Sequence, residues 1–492
     1  MPSPKNPEFL ETRSIPRLLF QFSLPAIIAS TVSATYNLVA RIFVARWFGT
    51  DGVAALTVSF PVIVIFLAVA MTIGTGATII ISIKLGEKDK DKAEEALGQA
   101  LFLSAASAAV FIAFGLTFLE PILRLVGATD NILPLAKSYL SVVIWGVLLQ
   151  HIAYGVNNFI RAEGKPYVAM ASMFISAIIN GILDYVFLFK LRTGIWGAGL
   201  ANVLACGVAA AWICYLYFSG HTILKWRLKY FRFNWPLAKS IAICGAVPFA
   251  AQACSAVLQT TQNNLLGYYG RLYGEAMRYP FPGDDAAIAI MGASVAVSMM
   301  FLMPFLGMGQ GVQPIVGYNT GAKRPDRTLA TIKLAIKAAI CISTSTWLVV
   351  MARPSWFIEF FLNPNDVGYA EKLALGVIAI RAVSLALPLV SVNVLIGGYF
   401  QAQGRPILAL MMTLLRQLII LLPTLVISTY VAQAIWGKGL LGCWFSFPFA
   451  DAVAALVSVY FLADDVKKKH RQIQEMRRAQ EQESATAPTV SA

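Results

Sequence analysis

Twelve stretches of this sequence are each long and apolar enough to cross a hydrocarbon core, which leaves few folds open to it. A helix needs roughly 20 mostly apolar residues to span about 30 Å of hydrocarbon. The windows are 18–44, 53–83, 94–118, 133–159, 167–190, 196–219, 238–268, 286–318, 328–351, 370–400, 406–430 and 436–463. Backbone groups inside lipid must be satisfied within their own segment, so windows of this length predict helices. Composition agrees: the 492 residues are 58% hydrophobic and 13% charged, with mean hydropathy +0.68, too little polar surface to cover a water-soluble globule of this size. The expected fold class is an all-α polytopic membrane protein of twelve transmembrane helices with the lipid bilayer as its solvent. The first window is too long for a signal-peptide core and has no small-residue cleavage site before the next span, so it is expected to stay as an anchor.

Charge sets the orientation. Of 39 Lys and Arg residues, 24 fall at the two ends and in the even-numbered loops and 11 in the odd-numbered loops, so both termini are expected on the cytoplasmic side of the cell (inner) membrane. That topology accounts for the net charge of +14, and no nucleic-acid partner is expected. The tail "KKKHRQIQEMRR" reads as a polybasic helix near anionic headgroups. The Gln, Glu, Ser, Thr and Pro residues after Arg478 predict disorder. All six cysteines lie in apolar stretches and the three histidines are scattered, so no disulfide framework, metal site or cofactor is expected.

The sequence repeats itself. "IRAEGKPYVAM" (160–170) returns as "FQAQGRPILAL" (400–410), and "IWGAGL" (195–200) as "IWGKGL" (435–440), both at an offset of 240. "IGTG" with "LG" (73–76, 85–86) returns as "MGQG" with "TG" (308–311, 320–321) at an offset of 235. The unit holds six spans, an even number, so the copies run parallel about an axis along the membrane normal. The expected domains are an N-terminal segment 1–17, a six-helix bundle 18–224, an amphipathic bridge 225–237, a second six-helix bundle 238–463 and a tail 464–492. A binding site falls in the cleft between such bundles or within one of them.

Charges inside spans are costly and point to function. Asp184 lies well inside the fifth span and shares a helix face with Asn180 four residues earlier, while Asn202 is available from the sixth. A partly desolvated carboxylate beside neutral oxygens suits a proton or sodium ion, and the alternative is a purely structural hydrogen-bonding role. Asp451 in the twelfth span has Arg416 or Arg381 as its expected partner, either as a clamp or as a proton-linked switch. Pro25 and Pro248 occupy corresponding places in the first helix of each bundle, where each removes a backbone bond and bends its helix, so both are candidate hinges unless packing alone explains them. No Ser/His/Asp set, metal-ligand cluster or phosphate-binding loop appears, so the chain is not expected to be an enzyme.

Two parallel bundles of six, the "RAEGKP" and "QAQGRP" turns, "IWGAGLANVLA" and "YNLV" together resemble the multidrug and toxic compound extrusion (MATE) family over roughly residues 15–463. The resemblance implies a secondary active exporter of amphipathic small molecules or drugs, an antiporter that alternates between outward-open and inward-open states on a proton or sodium gradient, working as a monomer. It implies a cation site of Asn180, Asp184 and Asn202, where the family's usual sixth-span residue is Thr. It makes Tyr36 and Asn37 binding residues and Pro25 a hinge. Gln252 stands where some members carry a Glu. An Asp common in the family is replaced by Ala40, next to Arg41, which either anchors at the interface or turns inward to pair with Asp184. The competing reading is a flippase for a lipid-linked saccharide or another anionic amphiphile.

Overall fold

The apolar windows become helices. A computed structural model describes residues 8–128, 130–278, 283–361 and 368–486, save the side chains of 33–43, 45–47, 49–51, 53, 54, 284, 285 and 483–486. Among the described residues ten helices are long and apolar enough to cross a membrane. Two bent pairs, Leu133–Trp145 with Val147–Ala162 at 59° and Trp235–Cys244 with Ala246–Met277 at 50°, supply the fourth and seventh spans. Both bends fall at a glycine. At Gly245 a local and a distant cause combine: Pro248 has no N–H to give the Cys244 carbonyl, and a Cβ on Gly245 would sit 1.8 Å from the Thr72 carbonyl oxygen of the second span.

The first two spans are present as Ile15–Val32 and Ala55–Gly86, and only their connection differs from expectation. The sequence predicts a turn at "RWFGTDG", yet helical backbone runs from Ile15 to Gly86. A straight helix of that length would reach about 108 Å. Leu18 and Phe22 nevertheless share one hydrophobic core with Ile73, Ala77 and Ile81, so the segment doubles back between its ends. A second correction concerns the tail: the last helix, Gly439–Thr486, continues past Arg478, because Ala, Gln and Glu are good helix formers and extend a helix already nucleated in the twelfth span.

The repeat is visible in geometry. Gly164 and Gly404 both adopt positive φ, +86° and +74°, and the next residues close matching turns, Lys165 N–H to the Ile160 carbonyl at 3.0 Å and Arg405 N–H to the Phe400 carbonyl at 3.1 Å. The second and eighth spans meet in a reciprocal contact. A Cβ on Gly86 would lie 2.0 Å from the Tyr318 carbonyl oxygen, and one on Gly321 would lie 2.0 Å from that of Ile83, the same pair of positions exchanged by the 235-residue offset. Gly76 packs in the same way on Ile241 of the seventh span, and Gly311 on Ser23 of the first. Arg161 adds a side-chain link, donating to Gln310 of the other bundle. All these contacts sit at the end of the molecule that carries the basic turns, here called the basic end.

The bridge between the bundles is fixed to the first of them. The Ile223 N–H donates to Glu163 Oε2 at 2.7 Å and the Lys225 N–H to Glu94 Oε1 at 3.2 Å. The Asn234 N–H donates to Gln99 Oε1 at 3.0 Å. Glu163 also accepts from the Tyr217 hydroxyl at 2.8 Å. Burial pushes the Glu163 carboxyl up from 4.5 to about 7. A carboxyl whose pKa rises on folding holds its proton more tightly when folded, so its contribution to stability is complete below 4.5 and is lost as pH rises through about 7. The apparent melting temperature in detergent is therefore expected to fall between about pH 5 and about pH 8, and Glu163→Gln to flatten that fall. Parallel pH profiles for the two proteins would contradict the assignment.

Candidate functional site

In the first bundle the fifth span, Pro166–Asp184, ends its α-helical part at Asp184 and passes into a π-helical turn, Tyr185–Lys190. Such turns widen the backbone and recur at functional sites. Asp184 and Asn180 are 2% and 3% exposed. With the Asn180 amide oriented by its surroundings, its NH2 donates to Asp184 Oδ2 at 3.0 Å and its carbonyl accepts from the Asn202 N–H at 3.1 Å. Gln150, buried on the fourth span, donates from Nε2 to Asn202 Oδ1 at 3.3 Å. Three spans thus converge on one carboxylate, and among the described residues no Lys or Arg forms an ion pair with it. The chemistry available is uptake of a proton, or of a small cation by the carboxylate with amide oxygens beside it.

The sequence expectation for Asn180, Asp184 and Asn202 is met in the sense that the fold brings them together. Gln150 was not among the expected residues. Its only signal is a glutamine inside the apolar run "WGVLLQHIAYG", whose role depends on a helix 52 residues away. Tyr36, Asn37 and Arg41 lie outside the described side chains.

The second bundle is arranged differently. Arg416, in the π-helical turn Leu415–Leu421, donates from Nε to Asp451 Oδ1 at 2.6 Å. Of the two expected partners the structure selects this one: Arg381 is exposed and donates instead to the Met351 carbonyl at 3.3 Å. Gln252 is half-buried on Ala246–Met277, and Pro248 follows the bend at Gly245. Pro25 is buried within the long first helix.

Two bundles of six helices related by an internal repeat, each with a carboxylate buried at membrane depth, define a multi-pass membrane transporter. The MatE family model matches residues 25–186 and 280–427, one segment in each bundle, and the protein belongs to the MATE family, whose members are transporters and not enzymes. Among its relatives an FAD transporter of Shewanella oneidensis is 24% identical over 465 residues, covering 92% of this chain and 95% of that protein. The multidrug export protein MepA of Staphylococcus aureus is 25% identical over 460 residues, covering 93% and 96%. In fold, the chain is similar to a crystallised MATE protein in complex with MaL6, with a TM-score of 0.85, 22% identity and coverage of 94% and 99%. A multidrug resistance MATE family transporter of the MOP superfamily in an outward-facing conformation gives a TM-score of 0.84 at 22% identity, with coverage of 94% and 98%.

The Arg416–Asp451 pair has the geometry of a buried ion pair, with Nε and Oδ1 2.6 Å apart, and its role as clamp or switch is open to a direct test. Removing one partner of a buried pair leaves an uncompensated charge, at a cost of roughly 3–5 kcal/mol. Asp451→Asn is expected to lower the melting temperature markedly, whereas Arg416→Met/Asp451→Leu together is expected to restore it and to keep transport. A folded but inactive double variant would show that the pair works in the transport cycle.

Proposed function

We propose that the protein is a secondary active exporter of amphipathic small molecules, an antiporter driven by a proton or sodium gradient through alternating access. It works as a monomer in the cell (inner) membrane with both termini and the basic end on the cytoplasmic side. The observation that carries this reading is the carboxylate of Asp184 held among Asn180, Asn202 and Gln150, where among the described residues neutral amides meet the cost of a buried charge. Such a group changes its charge or takes a cation when its access to water changes, and that change is what an ion gradient can drive. The orientation follows from the excess of Lys and Arg at the basic end. The name of the MepA relative supports a drug-like substrate. The name of the FAD transporter supports a second reading, an anionic amphiphile as cargo, which joins the flippase alternative raised by the sequence.

Asp184→Asn is expected to reduce gradient-driven export of ethidium from proteoliposomes by at least about tenfold, the scale of a coupling free energy between two sites, with expression and melting unchanged. Separate proton and sodium gradients identify the coupling ion, and FAD offered in place of ethidium tests the second reading. Full uphill transport by Asp184→Asn under either gradient would sink the proposal.

A further inference from the structure

The bridge holds its backbone inward, with Trp226 stacked on Tyr217, and leaves several of its other side chains exposed. Beyond the hydrogen bonds to Glu163, Glu94 and Gln99, the Asn234 amide donates to Glu95 Oε1 at 3.1 Å, and Arg227 Nε lies 2.7 Å from Glu94 Oε2. With the backbone so fixed, Leu228, Phe233 and Trp235 are 92%, 53% and 67% exposed. These large apolar groups are left largely uncovered by the protein, and the Phe231 and Phe233 rings line the third span. The Phe231 and Phe233 rings lie 5.4 and 6.0 Å from that of Phe102. Phe102 is twelve residues into the helix Lys90–Thr117, about 18 Å from its start, and hence inside the apolar window. The aromatic part of the bridge therefore reaches the depth of the acyl chains, where a water-soluble partner has no access.

Charge completes the pattern. Arg227 is taken by Glu94, but Lys225, Lys229 and Arg232 are exposed and form no ion pair with the described residues. Basic side chains beside aromatic ones at the hydrocarbon boundary match a surface of phosphate headgroups over acyl chains. We propose that residues 225–235 form a binding surface for anionic phospholipid of the leaflet at the basic end. Phe231, Phe233 and Trp235 enter the acyl region, and Lys225, Lys229 and Arg232 hold the phosphates. Because the bridge is fixed to the first bundle, bound lipid sets the depth and tilt of that bundle, and the second bundle moves relative to it. This inference is independent of the coupling ion and of the exported substrate.

The test uses the full chain in nanodiscs, with Cys341, the exposed native cysteine, replaced by Ser and a fluorophore on Leu228→Cys. Brominated phosphatidylglycerol and brominated phosphatidylcholine are compared as quenchers at equal mole fraction. The expected result is stronger quenching by phosphatidylglycerol, with a preference of about fivefold for each cation engaged. Lys225→Gln/Lys229→Gln/Arg232→Gln should abolish that preference, and Lys225→Arg/Lys229→Arg/Arg232→Lys should keep it. Equal quenching by the two lipids in the parent, absence of quenching by either, or a preference that survives the triple Gln substitution would each overturn the proposal.

Discussion

The structure depends on how closely the second and eighth spans approach each other. Apolar side chains gain nothing by leaving lipid for protein, so helices in a bilayer associate where small residues let backbones touch. Gly86 against Tyr318 and Gly321 against Ile83 do this at the basic end, and any side chain at either glycine would push the bundles apart. The contact is nearly self-complementary because the sequence repeats. It extends through Gly76 on Ile241 and Gly311 on Ser23, so that the first half of the seventh span rests on the first bundle and the first half of the first span on the second. The N-terminal segment closes over this junction, with Arg327 donating to the Leu10 carbonyl at 3.0 Å.

The two bundles share a backbone plan and divide the electrostatics. The first holds a carboxylate among amides, about 27 Å along its helix from the basic end, counted over the eighteen residues from Pro166. The second holds a carboxylate neutralised by Arg416 at 2.6 Å. A paired charge resists change, because protonating the acid would strand the guanidinium. A carboxylate that, among the described residues, is held by amides keeps the freedom to change. The proposed division of labour follows: the first bundle responds to ions and the second supplies a rigid partner against which it moves.

Much of this was legible in the sequence, because the bilayer imposes its demands locally. Span number follows from hydropathy, the repeat from matched turns, and the meeting of Asn180, Asp184 and Asn202 from helix periodicity and the short loop between consecutive spans. What escaped depends on distant contacts. Gln150 acts through Asn202, and Glu94 receives the bridge from 131 residues away. The choice of Arg416 over Arg381 needs the packing of the second bundle, which no window of sequence contains. The bend at Gly245 is foreshadowed by Pro248, whereas the bend at Gly146 was missed because no proline marks it and Gly146 packs on Val203 of another helix. The reversal between the first two spans was foreseen, but not the helical backbone over "RWFGTDG", because glycine beside charged residues ordinarily signals a turn.

The claim that the glycine junction at the basic end is one state of a moving pair is tested most directly by a distance across it. Lys88 and Lys323 follow Gly86 and Gly321 in the two copies and are both exposed with positive φ, 62° and 55°, which makes them matched sites for spin labels. Electron–electron resonance on the doubly labelled protein in proteoliposomes is predicted to give a short distance when the basic end is closed. A second, longer population should grow when substrate and an imposed ion gradient drive the cycle. One unchanging short distance under every gradient and substrate condition would contradict alternating movement of the two bundles.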